Sequence, residues 1–112
     1  MDRRGQPFAR DGETGWEPAG EGVQRKVLCY DPGVMMVRVR FEAGAVGPPH
    51  SHPHRQCSLV ESGTFDITID GRTERLGAGD GFLVPSDALH GAVAVEAGCL
   101  LDVFTPMRDD FV

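Results

Sequence analysis

The stretch "HSHPHRQ", residues 50–56, holds His50, His52 and His54, three of the four histidines in a chain of 112 residues, and closes on Gln56. Two positions apart on an extended segment, His50 and His52 point to the same side and can reach one ion. His90 lies far along the chain, behind "GDGFLVPSDAL", which reads as a strand followed by a turn. A neighbouring antiparallel strand would bring it opposite the first pair. Three imidazoles and one further oxygen or nitrogen donor hold a divalent first-row metal and leave positions open for water or substrate, the arrangement of a catalytic centre. Ni, Zn, Fe and Mn all tolerate such a donor set. Gln56 reads as the fourth ligand, the alternative being an amide that hydrogen-bonds a ligand histidine from behind. A neutral amide oxygen leaves the full divalent charge on the site, which favours holding an anionic substrate over dioxygen chemistry. His54, on a Pro-containing loop, reads as a solvated bystander.

A second group lies in "CLLDVFTPMRDDF". On a strand, Leu100, Asp102 and Phe104 share one face and Leu101 and Val103 the other, so an acid sits between two apolar neighbours. If that face is internal, Asp102 has a raised pKa and suits general acid/base work. Arg108 follows a Pro-containing turn and can fold back to fork a substrate carboxylate. Pairing with Asp109 or Asp110 in solvent is its plainer role.

The elements that must carry these residues are strands. "MMVRVRFE" alternates at period two, with Met35, Val37, Val39 and Phe41 on one face. "TFDITID" and "GRTERL" flank Asp70-Gly71, a hairpin signal. Further strands are expected at about 24–30, 56–61, 81–85, 90–95 and 99–104, separated by turns at "DPG", "AGAVGPP", "ESG", "GAGD", "PSDA" and "EAG". Residues 1–22 are polar, Gly-rich and without periodicity; they read as a mobile or weakly ordered segment, with Trp16 as its anchor, before one domain over 23–112.

With this length one core is expected. A net charge of −6 with scattered arginines argues against nucleic acid, though one or two arginines inside a pocket suffice for an anionic small molecule. The three cysteines, Cys29, Cys57 and Cys99, stand in or beside apolar runs and read as buried core thiols. No apolar stretch follows the N-terminal arginines and no run reaches membrane-spanning length, so a cytoplasmic address is expected.

Gly44, His50, His52, Gln56 and Gly63 match the spacing of the first cupin motif, G-x5-H-x-H-x3-E-x6-G, with Gln in place of Glu. Gly79, Pro85 and His90 match the second, G-x5-P-x-G-x2-H-x3-N, with Asp87 for the Gly and Ala94 for the Asn. The chain therefore resembles the cupin superfamily, which implies an all-β, single-domain jelly-roll barrel. With D-x-F-x-P-x-R at Asp102, Phe104 and Arg108, it looks like the small cupins of the pectin-degradation type. That resemblance implies conversion of 4,5-unsaturated monouronates to linear 5-keto-4-deoxyuronate. It also implies a metal held by His50, His52, Gln56 and His90, with Asp102, Phe104 and Arg108 acting on substrate. Small cupins commonly dimerise, and Trp16 and Met36 could serve a homodimer. The same histidines would also serve an iron dioxygenase, or a cupin that only binds metal or sugar.

Overall fold

In the computed structural model, which describes residues 3–112, eight strands follow one another. They are β1 (Glu17–Pro18), β2 (Val23–Asp31), β3 (Val34–Phe41), β4 (Val46–His50), β5 (Arg55–Ile69), β6 (Arg72–Gly77), β7 (Gly81–Val84) and β8 (His90–Thr105). Short 3-10 turns lie at Asp11–Glu13 and Asp109–Phe111, and no α-helix occurs among the described residues. The strands hydrogen-bond in the order β1-β2-β3-β8-β5-β6, with β4 added to β8 and β7 to β5. This is the jelly-roll sheet expected from the sequence.

Alternation decides which side chains turn inward. In β3, Met35, Val37 and Phe41 are buried while Val34 and Arg40 are exposed, as for a sheet with one face on the core. In β5, Gln56, Ser58 and Val60 alternate with exposed Arg55, Cys57 and Leu59. The hairpin at Asp70-Gly71 is present, with φ of 49° and 82°, the positive pair that a type I′ turn requires. The inward faces form two apolar clusters. One gathers Val23, Phe41, Val60, Phe65, Ile67, Ala94 and Leu100. The other gathers Val27, Tyr30, Met35, Val37, Phe104 and Met107.

Two expected turns are not turns. The strands expected at 56–61 and 64–70 are one strand, β5, which runs through "ESG" with its register shifting between Val60 and Phe65. Those expected at 90–95 and 99–104 are likewise one strand, β8, continuous through "EAG". The two long strands pair from Arg55↔Thr105 to Ile69↔His90 and bend together where Ser62 lies opposite Cys99. The glycines that signalled turns serve this bend. A Cβ on Gly98 would overlap the Ser62 carbonyl, and one on Gly63, at φ +81°, would lie 2.5 Å from the Ala97 carbonyl oxygen. Bulges of this kind kink both strands and carry the sheet around its corner.

A third expected turn, "AGAVGPP", is a turn only at its start, for Val46–His50 is strand β4. Pro48 and Pro49 cannot donate to a ladder, and β4 meets their limitation by pairing on one side only, with β8.

The cysteines depart from expectation as well. Cys57 is exposed, and Cys29 and Cys99 are half-buried. Cys57 belongs to the outward set of β5, because period two places Gln56 and Ser58 inside.

Residues 3–22 run along the outside of the barrel. Arg3 donates to the Val27 and Leu28 carbonyls, and the Gly5 amide to the Tyr30 carbonyl. Lys26 is 4% exposed, and its ammonium donates to the carboxylate and carbonyl of Asp11, 3.1 Å each, above the Trp16 ring. Arg40 covers the same ring at 4.2 Å. A buried ammonium needs such partners, and this segment supplies them.

Candidate metal centre

β4 and β8 set His50 directly opposite His90 in the ladder. His52 follows two residues beyond β4 and turns the same way, so that its ring centroid lies 5.5 Å from that of His50 and 4.8 Å from that of His90. One ligand atom from each of the three falls within 4.8 Å of the others. The strand pairing expected to unite the distant histidine with the first two is thus the pairing present.

Each ring is locked by a backbone carbonyl. Nδ1 of His50 lies 3.0 Å from the Pro48 carbonyl oxygen, Nδ1 of His52 3.0 Å from that of His54, and Nδ1 of His90 2.9 Å from that of Ala88. A nitrogen facing a carbonyl must carry the proton, so in the neutral tautomer it is Nε2 that offers the lone pair. Nε2 of His90 is buried and has no hydrogen-bond partner. Nε2 of His52 faces Oε1 of Gln56 at 3.2 Å, both buried. The Gln56 orientation follows from its other end, where Nε2 donates to the Ser58 hydroxyl at 3.0 Å and that hydroxyl donates to Asp102 at 2.6 Å. Two acceptors therefore face each other beside an orphaned imidazole nitrogen. Such an arrangement is costly without a cation and favourable with one, so these four donors fit a divalent metal. Burial lowers the pKa of His52 and His90, with the positive charge of Arg108 acting in the same direction, which keeps both imidazoles neutral as ligands must be.

Behind the donors the same chain of contacts reaches Asp102. In the cross-strand row Val37–Asp102–Ser58, the carboxyl stands between a fully buried valine and the serine hydroxyl. Burial pushes its pKa up to about 6, against the hydrogen bonds from Ser58 and Gln56 and the charge of Arg108, which pull it down. Leu100 and Phe104 flank it on the inward face, 4% and 3% exposed.

The lumen is a cavity of about 370 Å³ lined by His50, His90, Gln56, Asp102, Phe104 and Arg108 among others. Of the residues singled out from the sequence, His54 alone stands outside the metal cluster and the cavity lining. Its ring is half-buried rather than solvated, 6.5 Å from that of Phe104, with Nδ1 unpartnered. Its carbonyl oxygen faces Nδ1 of His52. Arg108 shows the plainer pairing expected of it and also faces the cavity. It lines the cavity, and it forks the Asp110 carboxylate at 3.0 and 2.8 Å.

The cupin domain model matches residues 37–104. This chain belongs to the cupin family. It is 40% identical over 104 residues to the pectin degradation protein KdgF of Dickeya dadantii, covering 91% of this chain and 94% of the relative. Among solved structures, KdgF from Halomonas sp. superposes with a TM-score of 0.90 at 40% identity, covering 94% and 97% of the two chains. An RmlC-like cupin from Shewanella frigidimarina superposes at 0.95 with 39% identity, covering 99% and 100%.

Two residues around the site of this cupin, one buried behind the donors and one in the cavity wall, escape a motif-based reading. Ser58, the link between Gln56 and Asp102, follows Gln56 at period two and could have been placed inside by that alternation. Arg25 stands between Val23 and Val27 on β2, a cation on an inward face, and lines the same cavity.

The purified cupin is expected to carry about one divalent transition metal per chain by elemental analysis. His90→Ala loses it on dialysis. Ser58→Ala, which removes the support behind Gln56, retains a metal with affinity lowered roughly 10- to 100-fold.

Burial raises the folded-state pKa of Asp102 above the ordinary carboxyl value of 3.8, so the fold favours the neutral carboxyl. Below that value burial of the acid costs nothing by ionisation; as pH rises through about 6, stability on the order of 3 kcal/mol is withdrawn. Asp102→Asn, treated with chelator, should therefore outlast the parent protein in denaturant at pH 7.5 and lose that margin near pH 4.

Proposed function

We propose that this cupin converts 4,5-unsaturated monouronates, the products of pectate or alginate lyases, into linear 5-keto-4-deoxyuronate. The observation that carries the reading is Asp102, a buried acid with a raised pKa, facing one cavity with His50, His90, Gln56 and Arg108, beside the cluster of three histidines. The name of the Dickeya dadantii relative, a pectin degradation protein, supports the substrate class.

The reaction is an isomerisation. The substrate is a cyclic enol ether whose ring oxygen also belongs to a hemiacetal. Asp102, ionised at neutral pH, takes the proton of the anomeric hydroxyl. As the aldehyde carbonyl forms, the bond from the anomeric carbon to the ring oxygen breaks, leaving an enolate across carbons 4 and 5. Asp102 returns the proton to carbon 4, and the ring oxygen becomes the 5-keto group. One proton has moved and nothing is consumed. A pKa of about 6 suits a group that must both accept and return a proton near neutrality. Ser58 steadies the carboxylate through its 2.6 Å hydrogen bond. Phe104 offers an apolar surface to the sugar face, and Arg108 offers a fork to its carboxylate. A bound divalent ion would supply Lewis-acid charge for the oxygens of the substrate. Because Gln56 is neutral, that charge is not reduced by the protein.

The experiment follows the ultraviolet absorbance of the conjugated double bond in an unsaturated galacturonate. The metal-loaded cupin should abolish it, in air and anaerobically alike. Asp102→Asn should slow that loss by 10²-fold or more, as expected for removal of a general acid/base. Retention of full activity by Asp102→Asn would end the proton-transfer role. Loss of activity only without oxygen would point to a dioxygenase, and a silent parent protein to a binding cupin.

The reading includes a cytoplasmic homodimer. Among the described residues no helix is long and apolar enough to cross a membrane. On the outer face Met36, Val103, Cys57 and Leu83 lie in one row across β3, β8, β5 and β7, beside Leu59 at 42% exposure. This apolar row supports pairing with a second copy. Sedimentation should give twice the chain mass, and Leu83→Glu should give the monomer.

A further inference from the structure

The cavity has a second cation that no motif names. Arg25 projects from β2 on the same face as buried Val23 and Val27, and Glu17 of β1, opposite it in the ladder, accepts from its Nε at 2.9 Å. No hydrogen-bond acceptor stands at its two terminal nitrogens among the described residues, although the side chain is 23% exposed. Its guanidinium carbon lies 3.8 Å from the centre of the Phe111 ring. The guanidinium carbon of Arg108 lies 4.3 Å from the same ring centre. Phe111 is held in turn by an edge contact with Phe104, centroids 5.7 Å apart at 90°. Two guanidiniums thus share one aromatic ring at the cavity wall, a spacing that both tolerate because the ring face attracts cations.

Among the described residues the only carboxylate on Arg108 is that of Asp110, which belongs to the closing 3-10 turn and is 59% exposed as a side chain. An exposed acid gains little from such a pair and is readily exchanged for another anion. An arginine with open donors, by contrast, gains charge-assisted hydrogen bonds when an anion arrives.

We propose that Arg25 and Arg108 together form the carboxylate seat of the cavity, and that Asp110 fills the Arg108 half of that seat until an anionic sugar displaces it. The proposal rests on the reading of the substrate as a uronate. It adds to that reading a specificity-determining residue, Arg25, and an internal competitor, Asp110. The ligand class is a monoanionic sugar acid small enough for the cavity; a neutral sugar or a uronate ester would leave Asp110 on Arg108 and the terminal nitrogens of Arg25 open.

The test uses two probes that are not turned over, galacturonate and its methyl ester, titrated calorimetrically into the metal-loaded protein. The parent protein should prefer the acid to the ester by about tenfold or more, the scale of a charge-assisted fork. Arg25→Gln should lose most of that preference, Arg25→Lys should recover part of it, and Asp110→Asn should tighten galacturonate several-fold by vacating the seat. With unsaturated galacturonate as substrate, Arg25→Gln should raise KM about tenfold with kcat within a few-fold of the parent. A purely structural role for Arg25 would move stability and leave the acid-to-ester ratio intact. An unchanged ratio in Arg25→Gln and Arg25→Lys, or weaker galacturonate binding in Asp110→Asn, overturns the proposal. If the parent protein binds galacturonate selectively but fails to bleach the unsaturated substrate, the linearisation reading falls and the seat stands.

Discussion

The pairing of β5 with β8 along their whole length is the constraint on which the site depends. It runs from Arg55↔Thr105 to Ile69↔His90, and through it Gln56 meets Phe104 and Ser58 meets Asp102 as direct cross-strand neighbours. The same strand β8 carries His90 to β4 at its start and Asp102 to β3 at its far end. A slip of one residue in this ladder would turn Gln56, Ser58, Asp102 and Phe104 outward together. The apolar rows packed above and below, Val60 with Leu100 and Phe65 with Ala94, resist that slip because every one of them is buried.

Around this ladder the electrostatics are arranged by subtraction. Three imidazoles and one amide oxygen bring no negative charge to the centre, and Asp102 is linked to Gln56 by two hydrogen bonds through Ser58. That acid is held back from full ionisation by burial rather than by a partner of like charge. The positive groups, Arg25 and Arg108, lie across the cavity against aromatic rings. An anion entering the lumen therefore meets cations on the wall and an uncompensated donor set beside β4. A neutral molecule finds few groups to satisfy.

How much of this could be read from residues alone depended on whether the deciding partner was local. The alternation of β3, the Asp70-Gly71 hairpin, the common direction of His50 and His52 and the inward face of Leu100, Asp102 and Phe104 are set by period two or by turn chemistry, and all are present. The continuity of β5 and β8 through "ESG" and "EAG" is different, because Gly63 and Gly98 serve a close crossing of two strands far apart in sequence. A glycine required by a neighbour looks the same as one required by a turn. Pro48 and Pro49 in β4 mislead for the same reason, since only the sheet reveals that β4 pairs on one side. Cys57 looked like core because it stands close to the apolar pair Leu59 and Val60, yet both faces of this sheet carry apolar residues. Arg25 and Phe111 come from opposite ends of the chain, and nothing local announces that they stack.

The backbone carbonyls behind the three histidines have a consequence for how such a site can change over time. Pro48, His54 and Ala88 hold the rings by main-chain oxygen, which no side-chain replacement removes. The aim of the imidazoles is thus insulated from mutation in the layer behind them, where many metal sites are fragile. Variation is channelled instead into the residues that set charge: one base change converts a glutamine codon at position 56 into a glutamate codon, altering the electron demand of the centre without re-aiming it. A scaffold built this way can trade one chemistry for another by single steps while its ligands stay in place.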